Sequence, residues 1–166
     1  MEFGATTDSY DAQGTVTCKT NIPPLDCIKL NTLAKDFTGD IQQKPPMVSA
    51  VKKDGVPLYK LARRGKTIKR DAKPVHIFSF EFSDYTQPVG KFHVHCSKGT
   101  YVRSLAHELG KSLTCGAHLR TLHRTGSGDF NIKDAIKLEE LLKLSDEKLL
   151  SRVITLLELT RILQPK

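Results

Sequence analysis

The sequence has no tryptophan, only four cysteines, and no apolar run approaching the roughly 18 residues that a membrane helix requires. Its opening, Met-Glu-Phe-Gly-Ala-Thr-Thr-Asp, has neither the basic nor the apolar stretch of a secretory signal. These absences leave no mark of a membrane helix or an export signal, so the expected compartment is the cytoplasm. Cys18, Cys27, Cys96 and Cys115 are too few for a disulfide scaffold in 166 residues, and they include no Cys-x-x-Cys pair of the kind zinc sites use. Reduced thiols are the expected state. No internal repeat and no low-complexity tract is present, which sets aside solenoids and extended linkers. What is there, 39% apolar and 27% charged residues, suits one globular domain with its own core and excludes wholesale disorder.

Charge is unevenly placed. Between Lys44 and Lys73 lie ten basic side chains and two acidic ones (Asp54 and Asp71), a net +8, while the rest of the chain balances at sixteen of each sign. The whole excess of the chain therefore belongs to one segment. A concentrated cationic patch is the electrostatic footprint of a polyanion partner, most often nucleic acid. From charge alone, a solvated basic face is the competing reading.

Local patterns predict a mixed architecture. Short strands over 1–6 and 14–20 flank an Asp- and Gly-rich turn, Thr7 to Gly14. Asp26 can cap a helix in which Ile28, Leu30, Leu33, Ala34 and Phe37 share a face, with Gly39 ending it. The basic segment turns at Lys53-Asp54-Gly55 and then forms a short helix from Pro57 to Gly65, followed by an extended piece from Lys66 to Arg70. Phe78, Phe80 and Phe82 alternate with polar residues, as do Phe92, Val94 and Cys96, which predicts two antiparallel strands joined near Pro88-Val89-Gly90. From Thr100 to Leu113 the apolar residues Val102, Leu105, Ala106, Leu109 and Leu113 trace one helical face, with Gly110 a tolerated weak point. A strand is expected from His118 to Thr125, and the leucines from Leu138 to Leu157 predict one or two closing amphipathic helices. With no βαβ rhythm, the class is α+β, a mainly antiparallel sheet with flanking helices.

Chemistry concentrates at Cys96 to Leu105, where a strand ends on small residues and a helix begins. Tyr101 and Arg103 sit beside the free N–H groups of that helix terminus, which favour an anion or a carboxylate. An aromatic ring and a guanidinium so placed could stack a base and orient an acidic group. Spacing alone serves equally well a core Tyr101 and a surface Arg103. His93 and His95 project from one face of a strand, but the sequence assures no third metal ligand, and half-exposed strand histidines are the simpler reading.

Cys96 to Leu105, then Leu109-Gly110 and the run Cys115 to Thr125, resemble the second half of the catalytic domain of the TruB-type tRNA pseudouridine synthases. Thr7 to Gly14, Phe37-Thr38-Gly39, Ile41 to Lys52, Leu58-Tyr59 and Ala62 to Gly65 match the same family in the same order, so the resemblance covers roughly residues 3–142. It implies a pseudouridine synthase fold and a partition into a partial catalytic domain over 1–142 and a helical tail over 143–166. It also implies isomerisation of the T-loop uridine at position 55 of tRNA to pseudouridine, without metal or organic cofactor. The uridine must leave the base stack, at a cost of a few kcal/mol. The segment 44–73 corresponds to the family's RNA-gripping insertion. The implied partner is the T-arm of tRNA, with no membrane and no metal, and the complete enzyme is expected to be a monomer.

By position, Tyr101 resembles the tyrosine that packs on the target uracil and is implicated in handling the C5 proton. Arg103 resembles the arginine paired with the catalytic aspartate, Asp11 the acidic residue joining that charge network, and Leu122 an apolar wall of the base pocket. An arginine beside a carboxylate keeps it ionised and aimed. Met47, Lys52, Lys53, Tyr59, Arg63, Arg64, Lys98 and His118 complete the implied substrate-binding set. Val48 departs from the family, where an aromatic residue is common at this place. The larger departure is the nucleophile, which in the family stands in a Gly-Thr-Leu-Asp-Pro context upstream of the Thr7 to Gly14 run; none of the aspartates here has that context. The chain therefore looks like a fragment lacking the first part of the catalytic domain and the RNA-binding domain that often follows. On its own it is expected to be inactive and to expose an unpaired sheet edge. A non-catalytic RNA-binding remnant of the same family is the alternative, and a general basic nucleic-acid binder a weaker third.

Overall fold

The computed structural model describes residues 1–163. In chain order it runs β1 (Glu2–Phe3), β2 (Ala5–Thr7), β3 (Val16–Lys19), α1 (Cys27–Lys35) and β4 (Gly39–Gln43). Next come β5 (Lys52–Lys53), β6 (Val56–Pro57), α2 (Leu58–Ala62), β7 (Lys73–Thr86), β8 (Val89–Cys96), α3 (Val102–Ser112) and β9 (Ala117–His118). These belong to one unit, Met1–Thr121; a second begins at Leu122. It contains β10 (Gly126–Ser127), β11 (Phe130–Asn131), a 3-10 turn, α4 (Leu138–Leu141), α5 (Asp146–Leu150) and α6 (Leu156–Ile162).

A five-stranded sheet in the order β4-β7-β8-β1-β9 organises the first unit, and every pairing in it is antiparallel. With helices packed against this sheet, the α+β architecture expected from the sequence is the one observed. Leu30 and Ala34 of α1 and Leu105, Ala106 and Leu109 of α3 are fully buried among Phe3, Val75, Ile77, Phe80, Phe82 and Ala117. Each large apolar side chain so removed from water contributes about 1.5–3 kcal/mol before the entropy of ordering is set against it. No cysteine is disulfide-bonded, and among the described residues no helix is long and apolar enough to cross a membrane.

Several local expectations are corrected. Asp26 does cap α1, its carboxylate accepting from the Lys29 N–H at 2.7 Å, but the helix ends at Lys35. The N–H groups of Asp36, Phe37 and Thr38 turn back to carbonyls three residues earlier, tightening the last turn. Gly39, at φ +83°, then redirects the chain into β4 instead of terminating a helix. Ile28 stays 79% exposed because Leu30 and Ala34 define the buried face. The three alternating phenylalanines do not share a side. Pairing passes from Ile77↔Cys96 to Ser79↔His95, so Phe78 is the extra residue of a bulge. The bulge moves the inward positions from Val75 and Ile77 to Phe80 and Phe82, and leaves Phe78 56% exposed between His76 and His95. Asn31 of α1 braces the sheet nearby, its amide exchanging hydrogen bonds of 2.7 and 3.0 Å with the backbone of Phe82.

The strand expected from His118 to Thr125 is only Ala117–His118. Beyond it, the Leu119 N–H donates to Tyr10 O and Leu119 O accepts from the Ala12 N–H, so the chain pairs with the 10–12 loop and leaves the sheet. Gly110 is a requirement, not a weak point: a β-carbon there would lie 2.1 Å from the Ala117 backbone nitrogen, where α3 crosses β9. In the second unit the leucines form three short helices. Ser145 and Thr155 start new ones, the latter through a capping box with Glu158.

Candidate active site

The turn after β2 is built to present one carboxylate. Thr7 Oγ1 donates to Asp11 O at 2.8 Å, and the Asp8 carboxylate accepts from the Thr15 N–H at 2.9 Å. Gly14 packs so closely that a β-carbon would collide with Ser9 and Asp8, which closes the turn tightly. Tyr10 adopts φ 65°, a left-handed conformation that costs a residue bearing a β-carbon on the order of 1–2 kcal/mol. Asp11 emerges with its Oδ1 accepting from Ser9 Oγ at 2.7 Å and from the Gln13 N–H at 3.1 Å.

Arg103, in the first turn of α3, meets it. Its Nη1 lies 2.8 Å from Asp11 Oδ2 and also donates to Ser9 O at 3.2 Å, while Nη2 donates to Val48 O at 2.8 Å. The two side chains are 23% and 26% exposed, enough protection from water for the pair to hold geometry. Burial alone would raise the Asp11 carboxyl. The Ser9 hydroxyl, the Gln13 N–H and the Arg103 guanidinium outweigh it and hold the group below its ordinary value. Two residues earlier, Tyr101 stands at the N-cap of α3 without capping it through its side chain. Its backbone is gripped by a buried amide: Gln43 Oε1 accepts from the Tyr101 N–H at 2.7 Å and Gln43 Nε2 donates to Tyr101 O at 3.1 Å.

The fold thus brings Asp11, Arg103 and the Tyr101 backbone into one cluster, with Met47 and Val48 on the segment that Arg103 holds. Met47 and His118 are buried, and His118 Nδ1 lies 3.2 Å from Ala5 O, so that nitrogen carries the proton and donates. Lys52, Lys53, Arg63, Arg64 and Lys98 are exposed, and the Arg63 guanidinium sits 5.4 Å from the centre of the half-buried Tyr59 ring. Leu122, 57% exposed, opens the second unit. His93 and His95 are exposed, and no group of three or more His, Cys, Asp or Glu side chains is gathered to hold a metal among the described residues. Sequence reasoning missed Ser9 and Gln43. Ser9 had a local signal, a hydroxyl two residues before an aspartate in a tight turn. Gln43 had none, because its partner lies 58 residues away.

Residues 1–102 match the family described as TruB family pseudouridylate synthase (N terminal domain), and residues 103–165 match the tRNA pseudouridylate synthase B C-terminal domain. A tRNA pseudouridine synthase B of Francisella tularensis subsp. tularensis (strain WY96-3418) is 45% identical over 154 residues, covering 92% of this chain and 51% of that protein. One from Opitutus terrae is 43% identical over 141 residues, covering 85% and 58%. Among solved structures, a chain of the crystal structure of a Cbf5-Nop10-Gar1 complex is similar with a TM-score of 0.56 and 30% identity, over 73% of this chain and 32% of that one. The class is that of the pseudouridylate synthases. Within it, the chain belongs to the TruB family. It spans about half the length of the curated relatives it matches. Nothing in these likenesses favours the non-catalytic remnant.

Proposed function

We propose that this chain forms part of a cytoplasmic tRNA pseudouridine synthase acting on the T-loop uridine at position 55. The observation that carries the reading is the Asp11–Arg103 pair beside Tyr101 at the start of α3, on a chain whose net positive charge lies wholly in the 44–73 segment. In the reaction the C1′–N1 bond breaks, the uracil turns over, a C1′–C5 bond forms, and the hydrogen lost from C5 is replaced by one gained at N1. Tyr101 packs on the everted base and handles the C5 proton. Arg103 presents fixed positive charge where a carboxylate must stay ionised. Asp11 is not the nucleophile, because it stands in the Thr7 to Gly14 run and not in the Gly-Thr-Leu-Asp-Pro context of the family's nucleophile. It holds the guanidinium in place.

Residues 1–142 serve as part of the catalytic domain, with 44–73 gripping RNA and 143–166 forming a tail. Exposed Lys52, Lys53, Arg63, Arg64 and Lys98 bind phosphates, while Met47, Tyr59 and His118 shape the surroundings of the base. The complete enzyme works as a monomer. Binding of a T-arm hairpin, measured against a hairpin of equal length with an unrelated loop, tests the reading. The T-loop should bind more tightly at every salt concentration. Equal affinity with the same salt dependence would reduce the chain to a general cation for RNA.

A further inference from the structure

Adjacent residues of the first turn, Tyr10 and Asp11, meet residues one helical turn apart on α3. Asp11 pairs with Arg103, and the Tyr10 ring lies flat on His107, with centroids 3.8 Å apart and planes within 13°. Positions 103 and 107 are neighbours on one face of a helix, so the turn rests on α3 by two rungs. Backbone hydrogen bonds from Leu119 to Tyr10 O and from Ala12 to Leu119 O fix the loop on its other side. The left-handed φ of Tyr10 aims the ring and the carboxylate together at the helix, and nothing in the loop's backbone bonding calls for a tyrosine in that strained conformation. His107 is equally unexplained by hydrogen bonding, since its Nδ1 is buried without a partner. It is the flat face of the imidazole that is used.

We propose that His107 is a positioning residue which, through the ring of Tyr10, holds Asp11 on Arg103. Its importance for catalysis rests on the function proposed above; the geometry does not. The Asp11 carboxyl is a built-in reporter, because the Ser9 hydroxyl, the Gln13 N–H and the Arg103 guanidinium each hold it below its ordinary value, and a turn displaced from α3 loses the last of these.

The test follows the Asp11 side-chain carbon by NMR across an acid titration of the 166-residue chain and four variants. Tyr10→Phe and His107→Phe keep both rings and should keep the low midpoint. Tyr10→Gly keeps the left-handed backbone but removes a ring, and His107→Ala removes the other; both should raise the midpoint toward that of an ordinary aspartate, with the amide spectrum of the sheet unchanged. If His107→Ala fails to fold, Tyr10→Gly decides, since glycine adopts that φ without strain. A low midpoint retained in Tyr10→Gly overturns the proposal. T-arm hairpin affinity, measured in parallel, should fall several-fold in Tyr10→Gly and hold in the two phenylalanine variants. If the midpoint moves as expected while the wild-type chain shows no preference for the T-loop, the proposed function fails and the positioning role stands.

Discussion

Replacing Arg103 by methionine keeps an unbranched apolar stem and removes three hydrogen bonds at once. Asp11 loses its 2.8 Å partner, and the carbonyls of Ser9 and Val48 lose donors at 3.2 and 2.8 Å. A hydrogen bond to a charged group contributes about 1.5–3 kcal/mol net, and a neutral carbonyl left without its donor costs about 1 kcal/mol when water can partly replace it. With both side chains about a quarter exposed, solvent screening trims the ionic part, and the expected loss is about 3 kcal/mol. Asp11→Asn keeps an acceptor for one neighbour and should cost about 1–2 kcal/mol. The double variant should lose less than the sum of the two, by about 1–2 kcal/mol, because the pair can be broken only once. Urea unfolding followed by circular dichroism measures the cycle, the sequence having no tryptophan to report. A coupling below about 0.3 kcal/mol would make this an ordinary surface ion pair and refute the view that Arg103 ties the turn to α3.

Gly110→Ala should destabilise the chain by about 3 kcal/mol or more despite alanine's better helix propensity, since its β-carbon meets backbone at 2.1 and 2.4 Å; a gain in thermal midpoint would contradict this. Acid should weaken the fold through two groups. Burial lowers the pKa of His107, so its contribution is complete above the ordinary 6.5 and is lost as pH falls through the folded value. The lowered pKa of Asp11 adds a second loss, present above the ordinary carboxylate value and gone once pH has fallen through its folded one. His107→Phe should remove only the upper part of that decline in a stability-against-pH series. Changing Lys52, Lys53, Arg63 and Arg64 together to glutamine should leave stability nearly unmoved, these side chains being exposed, and should make the logarithmic salt dependence of RNA binding shallower by about 3; an unchanged slope would place the phosphates elsewhere.

Periodic signals in the sequence carried the central hairpin and α3, because alternation and helical spacing report which side chains face the core. They failed where one residue changes the count. The bulge at Phe78 cannot be read from a pattern that stays alternating through it, and Gly39 looks the same whether it ends a helix or opens β4. The meeting of Asp11 with Arg103 was legible only through resemblance to a family, since 92 residues separate the two. Gln43 with Tyr101 and Tyr10 with His107 had no such guide. Long-range pairs of this kind are decided by how α3 crosses the sheet. The leucines of α4 to α6 look amphipathic in sequence, yet Leu138, Leu142, Leu150 and Leu156 are each more than two-thirds exposed.

Gln43 closes β4 and Lys73 opens β7, and the two are cross-strand partners. The cationic segment between them therefore departs from and returns to a single rung of the sheet. It has interior residues of its own, Leu58 and Met47, which are buried yet stand outside the main core cluster. A rung with both ends pinned works like a socket: stretches beyond the Val48 carbonyl could be lengthened, trimmed or exchanged for a modest loop-closure entropy, without disturbing the strands on either side. Variation within the cationic segment thus has a place to accumulate that leaves the Val48 carbonyl on Arg103.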